Sequence, residues 1–171
     1  MQSWIKRSKS GVRKGFGRHS YLGSRFVLIR VEALQGMIEQ VNKVLGTGGS
    51  LVWYIAGKGA GESMAKSLQK SFLKGHESLE DIFDKVKDLY ARWGWGELEK
   101  VFINEKAGIM LLRIYDNAFA IGNYSRIPSC YYVKGYIEGF IEALTGKPVT
   151  SEETKCISKG DPYCEFQIRL K

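Results

Sequence analysis

At 171 residues the chain is long enough to bury a core within one domain without a covalent staple. Its 44% hydrophobic and 12% aromatic content excludes a disordered chain, and no apolar run reaches membrane-spanning length, because Lys58 and Glu62 interrupt the most hydrophobic stretch. The net charge of +8 is local: residues 1–20 hold Lys6, Arg7, Lys9, Arg13, Lys14 and Arg18 without an acid, whereas the other 151 residues carry 20 basic and 18 acidic groups.

That distribution excludes a diffusely basic folded surface. It divides the chain into a basic N-terminal arm, residues 1–20, and a single domain over 21–171. The arm's cations suit contact with nucleic acid, an anionic surface or an acidic partner, or simple solvation. Trp4, Phe16 and Tyr21 give it little aromatic interleaving for single-strand stacking. No apolar signal core follows the basic residues, and three cysteines cannot all pair. Both features point to a reducing cytoplasm.

The branched run Phe26-Val27-Leu28-Ile29 predicts a strand over Ser24 to Val31. A helix over Glu32 to Leu45 follows, with Leu34, Met37, Ile38, Val41 and Leu45 on one face and Gly46 to Gly49 ending it. Ser50 is a candidate cap for a second helix reaching about Phe72. Inside it, Gly57, Ala60 and Gly61 form a notch that costs on the order of 1 kcal/mol of helix stability per glycine. Close approach of another helix, or of a ligand, would offset that cost. The string Gly57-Lys58-Gly59-Ala60-Gly61 lacks the spacing and terminal Gly-Lys-Ser/Thr of a phosphate loop, and a nucleotide site is rejected.

Ser78 caps a third predicted helix, marked by Leu79, Ile82, Phe83, Val86, Leu89, Tyr90 and Trp93 and stopped at Gly94 and Gly96. Strands over Glu97 to Asn104 and Gly108 to Tyr115 form a hairpin. A fourth helix starts near Cys130 and ends at Gly146, with Gly135 and Gly139 as a second small-residue face. After a Lys159-Gly160-Asp161-Pro162 turn, Cys164, Phe166, Ile168 and Leu170 alternate with polar residues as a half-buried strand. The order of elements predicts an α+β fold, a mainly antiparallel sheet packed against helices.

Cys130, Glu153, Cys156 and Cys164 are the clearest chemistry. Three thiolates and a carboxylate suit a tetrahedral zinc ion, and four protein donors would leave it no open position. Ordinary buried cysteines are the competing reading, since no CxxC pair is present. His19 belongs with the basic arm and His76 with a helix boundary; neither adjoins the cysteines.

Cys130, Gly135-Tyr136, Gly139, Gly146, Glu153, Cys156, Gly160-Asp161, Cys164 and Phe166 resemble the 4-vinyl reductase domain family, with Ala56-Gly57 and Ala60-Gly61 similar to its glycine-bearing helix. These are small hydrocarbon- or aromatic-binding domains, found alone in archaea and as sensors in bacterial regulators. The resemblance implies zinc on Cys130, Glu153, Cys156 and Cys164. It implies a fold related to a vesicle-tethering subunit and to haem-based nitric-oxide sensors, frequent homodimers, and a small apolar molecule held between sheet and helices. The family's name does not establish reductase chemistry.

The leading expectation is therefore a binding domain for a small apolar, aromatic or hydrocarbon-like molecule, with a structural zinc site. Tyr54, Phe83, Tyr90, Trp93, Tyr132 and Tyr136 are candidate pocket residues, with Gly57 and Gly61 leaving room beside them. One alternative is a nucleic-acid or protein-interaction module using the basic arm. Another is a zinc-dependent or reductase-associated enzyme, although no Ser-His-Asp set or GxSxG elbow appears.

Overall fold

The computed structural model describes residues 19–21, 24–75 and 77–171. The six cations of the N-terminal arm and His76 lie outside the described residues, as does the side chain of His19. A short hairpin, β1 (His19–Tyr21) with β2 (Ser24–Phe26), leads into α1 (Val31–Leu45), α2 (Gly48–Ser71) and α3 (Leu79–Arg92). Then come β3 (Glu97–Asn104), β4 (Ile109–Tyr115), α4 (Tyr131–Thr145), β5 (Val149–Lys155) and β6 (Cys164–Leu170). The last four strands form one antiparallel sheet in the order β3-β4-β6-β5. The chain is thus α+β with an antiparallel sheet packed against helices, as its pattern predicts.

Alternation sets the sheet's buried face. Leu98 of β3, Met110, Leu112 and Ile114 of β4, and Cys164, Phe166 and Ile168 of β6 all point into the core. Leu79, Ile82, Phe83, Val86, Leu89 and Tyr90 of α3 meet them from the helical side. Ser78 caps α3 as expected: its Oγ accepts from Asp81 N, and Asp81 Oδ2 accepts from Ser78 N, closing a capping box. Ser78→Ala should cost about 1 kcal/mol. Urea titration would show this as a lower midpoint at unchanged slope; an unchanged midpoint would deny the cap its role.

Two predicted boundaries are corrected. The first strand stops at Phe26, and Val27, Leu28 and Ile29 run unpaired and exposed into α1. Ser50 is not the cap of α2, which already begins at Gly48; the Ser50 hydroxyl instead donates to Thr47 O. Glycine explains the tight joint. Gly46 turns the chain at φ +54°, and a Cβ on Gly49 would lie 2.3 Å from Asn42 Oδ1, so only a bare backbone starts α2 this close to α1.

The glycine notch meets a helix. A Cβ on Gly57 or Gly61 would stand 2.0 or 2.1 Å from the carbonyl oxygens of Tyr132 and Tyr136 on α4. One on Gly135 or Gly139 would stand 2.0 or 2.1 Å from those of Tyr54 and Lys58 on α2. The pairs ascend together along both helices, so α2 and α4 run parallel with backbones in direct contact. Buried Glu138 fastens the joint, accepting from Tyr54 OH, Ser151 N and Ser151 Oγ. Glu142 adds an ion pair with Lys58 at 2.9 Å and accepts from Val149 N.

Candidate metal centre and apolar cavity

Three local structures deliver the four candidate ligands. Cys130 is the N-cap residue of α4. A register shift between Glu153 and Lys155 bends β5, so that Glu153 and Cys156 reach the same place. The chain then makes a 3₁₀ turn at Ile157–Lys159 and reverses at Gly160, φ +94°, with Asp161 Oδ2 accepting from Cys156 N at 2.8 Å. Cys164 opens β6 on its inward face.

The sulfurs lie 3.6 Å (Cys130 to Cys156), 3.6 Å (Cys130 to Cys164) and 4.0 Å (Cys156 to Cys164) apart. A disulfide would need about 2.05 Å. A tetrahedron of sulfurs at about 2.3 Å from a central ion has edges of about 3.8 Å, so the thiols stand at the corners that a zinc ion requires. One oxygen of Glu153 completes the set, all four ligand atoms falling within 4.8 Å of one another.

The carboxylate is placed for a cation. Glu153 Oε2 accepts from Cys130 N at 3.0 Å, while its buried Oε1 has no hydrogen-bond partner. Burial, together with the charge of Cys156, pushes the Glu153 carboxyl up to about 8. Contacts with Cys156 and Cys164, and then burial, raise the Cys130 thiol well above its ordinary value. An added cation would reverse both trends. Each sulfur also has an outer contact: Asn117 Nδ2 donates to Cys130 at 3.5 Å, Ile157 N donates to Cys164 at 3.5 Å, and Ser158 Oγ lies 3.0 Å from Cys156. The donor set fits zinc. Its four protein donors fill a tetrahedron, so the chemistry it suits is structural.

Between α2, α3, α4 and the sheet lies an apolar cavity of about 30 Å³, room for roughly one water molecule. Of the predicted pocket residues, Phe83, Tyr90, Trp93 and Tyr136 line it, beside Met64, Leu68, Leu112 and Phe140. The others stand elsewhere. Gly57 and Gly61 occupy the helix joint, Tyr54 binds Glu138, and the Tyr132 ring stacks on Phe119 at 4.7 Å. Tyr90 OH and Trp93 Nε1 are buried without a partner, a cost of about 1–3 kcal/mol for each group.

Sequence reasoning did not single out Asn117, Ser158 or Glu138. All three are buried polar residues without a repeating pattern around them. An acid at position 138 on the small-residue face of α4 was the one available signal, because a buried carboxylate needs partners.

Comparison with known proteins places this geometry. The family model of the 4-vinyl reductase domain matches residues 110–170, a span holding all four candidate ligands. An uncharacterized protein of Methanocaldococcus jannaschii, MJ0150, is 30% identical over 109 residues, 64% of this chain and 62% of that protein. The chain therefore spans less than two thirds of that relative's length.

Solved structures share the fold at lower identity. The phenol-responsive sensory domain of the transcription activator PoxR, with phenol, superposes at a TM-score of 0.70 and 21% identity, covering 88% of this chain and 79% of that one. A trafficking protein particle complex subunit 3 from Naegleria fowleri, covalently bound to palmitic acid, gives 0.67 at 16% identity, covering 82% and 92%. An H-NOX protein from S. oneidensis in the Fe(II)NO state gives 0.53 at 14%, covering 85% and 78%. The expected kinship of fold with tethering subunits and nitric-oxide sensors is present. Among the described residues no helix is long and apolar enough to cross a membrane.

Proposed function

Because residues 110–170 belong to the 4-vinyl reductase domain family, we propose that residues 21–171 form a small-molecule-binding domain. Its cavity takes a neutral, largely apolar molecule, and Cys130, Glu153, Cys156 and Cys164 hold a structural zinc ion. The observation that carries this reading is an apolar cavity walled by Phe83, Tyr90, Trp93 and Tyr136, with two buried donors lacking acceptors. Among the described residues no charged side chain lines the cavity, so an ionised guest would meet no countercharge. A guest with one acceptor atom would satisfy Tyr90 OH or Trp93 Nε1. The PoxR domain, bound to phenol, and the trafficking subunit, bound to palmitic acid, support the use of this fold around apolar molecules.

At about 30 Å³ the cavity is closed around less than an aromatic ring, so binding must displace a wall. Phe83→Ala removes most of one wall and should tighten aromatic binding, although it costs about 3–5 kcal/mol of stability. Titrations of the full chain with phenol and with toluene, followed by tryptophan fluorescence, test the reading. Phenol should bind about tenfold more tightly than toluene, the worth of one hydrogen bond. Silence from both probes at millimolar concentration, in the wild type and in Phe83→Ala, would end it.

A second copy of the chain is the proposed partner. Helix α1 buries no residue in the monomer. Val27, Leu28, Ile29, Val44, Leu51 and Ile55 leave apolar surface on the segment before α1, on α1 itself and on the first turns of α2. Sedimentation should give a dimer that Val44→Glu with Leu51→Glu converts to a monomer. A wild-type monomer would remove this part.

A further inference from the structure

We propose that Asn117 is a positioning residue that ties the metal centre to the cavity wall, so that what fills the cavity is felt at the Cys130 thiolate. The inference rests on both the metal and the cavity readings above. Asn117 is fully buried in the connection between β4 and α4, and both ends of its amide are engaged. Nδ2 donates to Cys130 Sγ at 3.5 Å, and Oδ1 accepts from Phe119 N at 3.1 Å. An amide held at both ends cannot turn without orphaning a buried group. An N–H aimed at a thiolate draws charge from it, and outer partners of this kind change metal affinity about 10–100-fold.

The other two sulfurs receive their outer contacts from their own hairpin, through Ile157 N and Ser158 Oγ. Asn117 reaches Cys130 from the aromatic side. Its neighbour Ala118 donates its N–H to Trp95 O at 3.1 Å. The Phe119 ring meets Trp95 edge-on at 5.1 Å. Trp95 in turn contacts Tyr136 at 4.9 Å, Tyr90 at 5.4 Å and Trp93 at 6.4 Å, three walls of the cavity. A ring cannot enter so small a space without moving one of these walls, and a close-packed interior passes displacement on. The route runs from wall to Trp95, from Trp95 to the 117–119 backbone, and from there to the donor on Cys130.

The full chain loaded with Co²⁺ reports its thiolates through the sulfur-to-cobalt charge-transfer band, and a competing chelator reports the rate of metal loss. Asn117→Ala is expected to move the band and speed metal loss about tenfold. Asn117→Asp, which keeps the acceptor for Phe119 N and removes the donor, should do the same while leaving secondary structure intact. Trp95→Phe should speed metal loss severalfold in the wild type and add nothing in Asn117→Ala, the non-additivity expected of a shared route. Saturating toluene, its binding followed by tryptophan fluorescence, should shift the band in the wild type but not in Asn117→Ala.

Additive effects of Trp95→Phe and Asn117→Ala would overturn the link, as would toluene that binds without moving the band; the cavity reading would survive either. Non-additive effects without toluene binding would keep the link and remove the cavity reading. A wild-type chain that takes up no Co²⁺ would sink the metal reading and the link together.

Discussion

Stripping the metal from the full chain with a strong chelator is expected to lower its thermal midpoint by roughly 10 °C. A ligand that binds only the folded state at about a thousand times its dissociation constant contributes about 4 kcal/mol, and each kcal/mol is worth roughly 2–4 °C in a chain of this size. The effect should be large because of what the four ligands join. Cys130 begins α4, Glu153 and Cys156 end β5, and Cys164 begins β6. Without an ion, three sulfurs within 4.0 Å of one another and an unpartnered Glu153 Oε1 are left together in the core. Cys164→Ser should reproduce the chelated midpoint and become insensitive to chelator. Ser158→Ala, which touches only the outside of Cys156, should remain chelator-sensitive. A midpoint that stays put after the metal is shown to be gone would refute a structural role.

The sequence discloses those parts of the molecule whose physics is local and repeats. Helix α3 carries its buried stripe in fourteen consecutive residues, with its start at Ser78 and its end at Trp93 directly flanking them. Strand β6 alternates with period two, and the 97–115 hairpin is bounded by turn residues, so these elements appear where expected. The first strand misled because Val27, Leu28 and Ile29 have the composition of a buried strand and lie exposed; composition does not say what covers a residue. The metal set was legible as a chemical inventory, but its convergence depends on the bend in β5 and on a cap 23 residues upstream of Glu153. Asn117 and Glu138 gave almost nothing away, since a polar residue's partner in a different element leaves no local period. Gly57 and Gly61 were visible as an anomaly with two meanings, and only the neighbouring backbone of α4 separates them.

That anomaly makes the sharpest stability prediction, because glycines in one helix should respond with opposite sign. Gly59→Ala in α2 meets nothing within 4 Å and should stabilise the chain by about 1 kcal/mol, the ordinary gain in helix propensity. Gly61→Ala offers the same gain, but its Cβ would sit 2.1 Å from Tyr136 O and 2.8 Å from Phe140 N. Backbone atoms cannot step aside as a side chain does. The helices must part, at a cost of about 3 kcal/mol or more, so the loss outweighs the gain. Gly135→Ala, 2.0 Å from Tyr54 O, should cost as much and do more. Parting α2 from α4 strains the Tyr54–Glu138 bond and the Lys58–Glu142 pair, and it shifts the helix whose N-cap is Cys130. Gly135→Ala should therefore weaken metal retention along with stability, which Gly59→Ala should leave unchanged. Equal midpoints for Gly59→Ala and Gly61→Ala would mean that the helices do not touch through their glycines, and the close parallel joint would have to be abandoned.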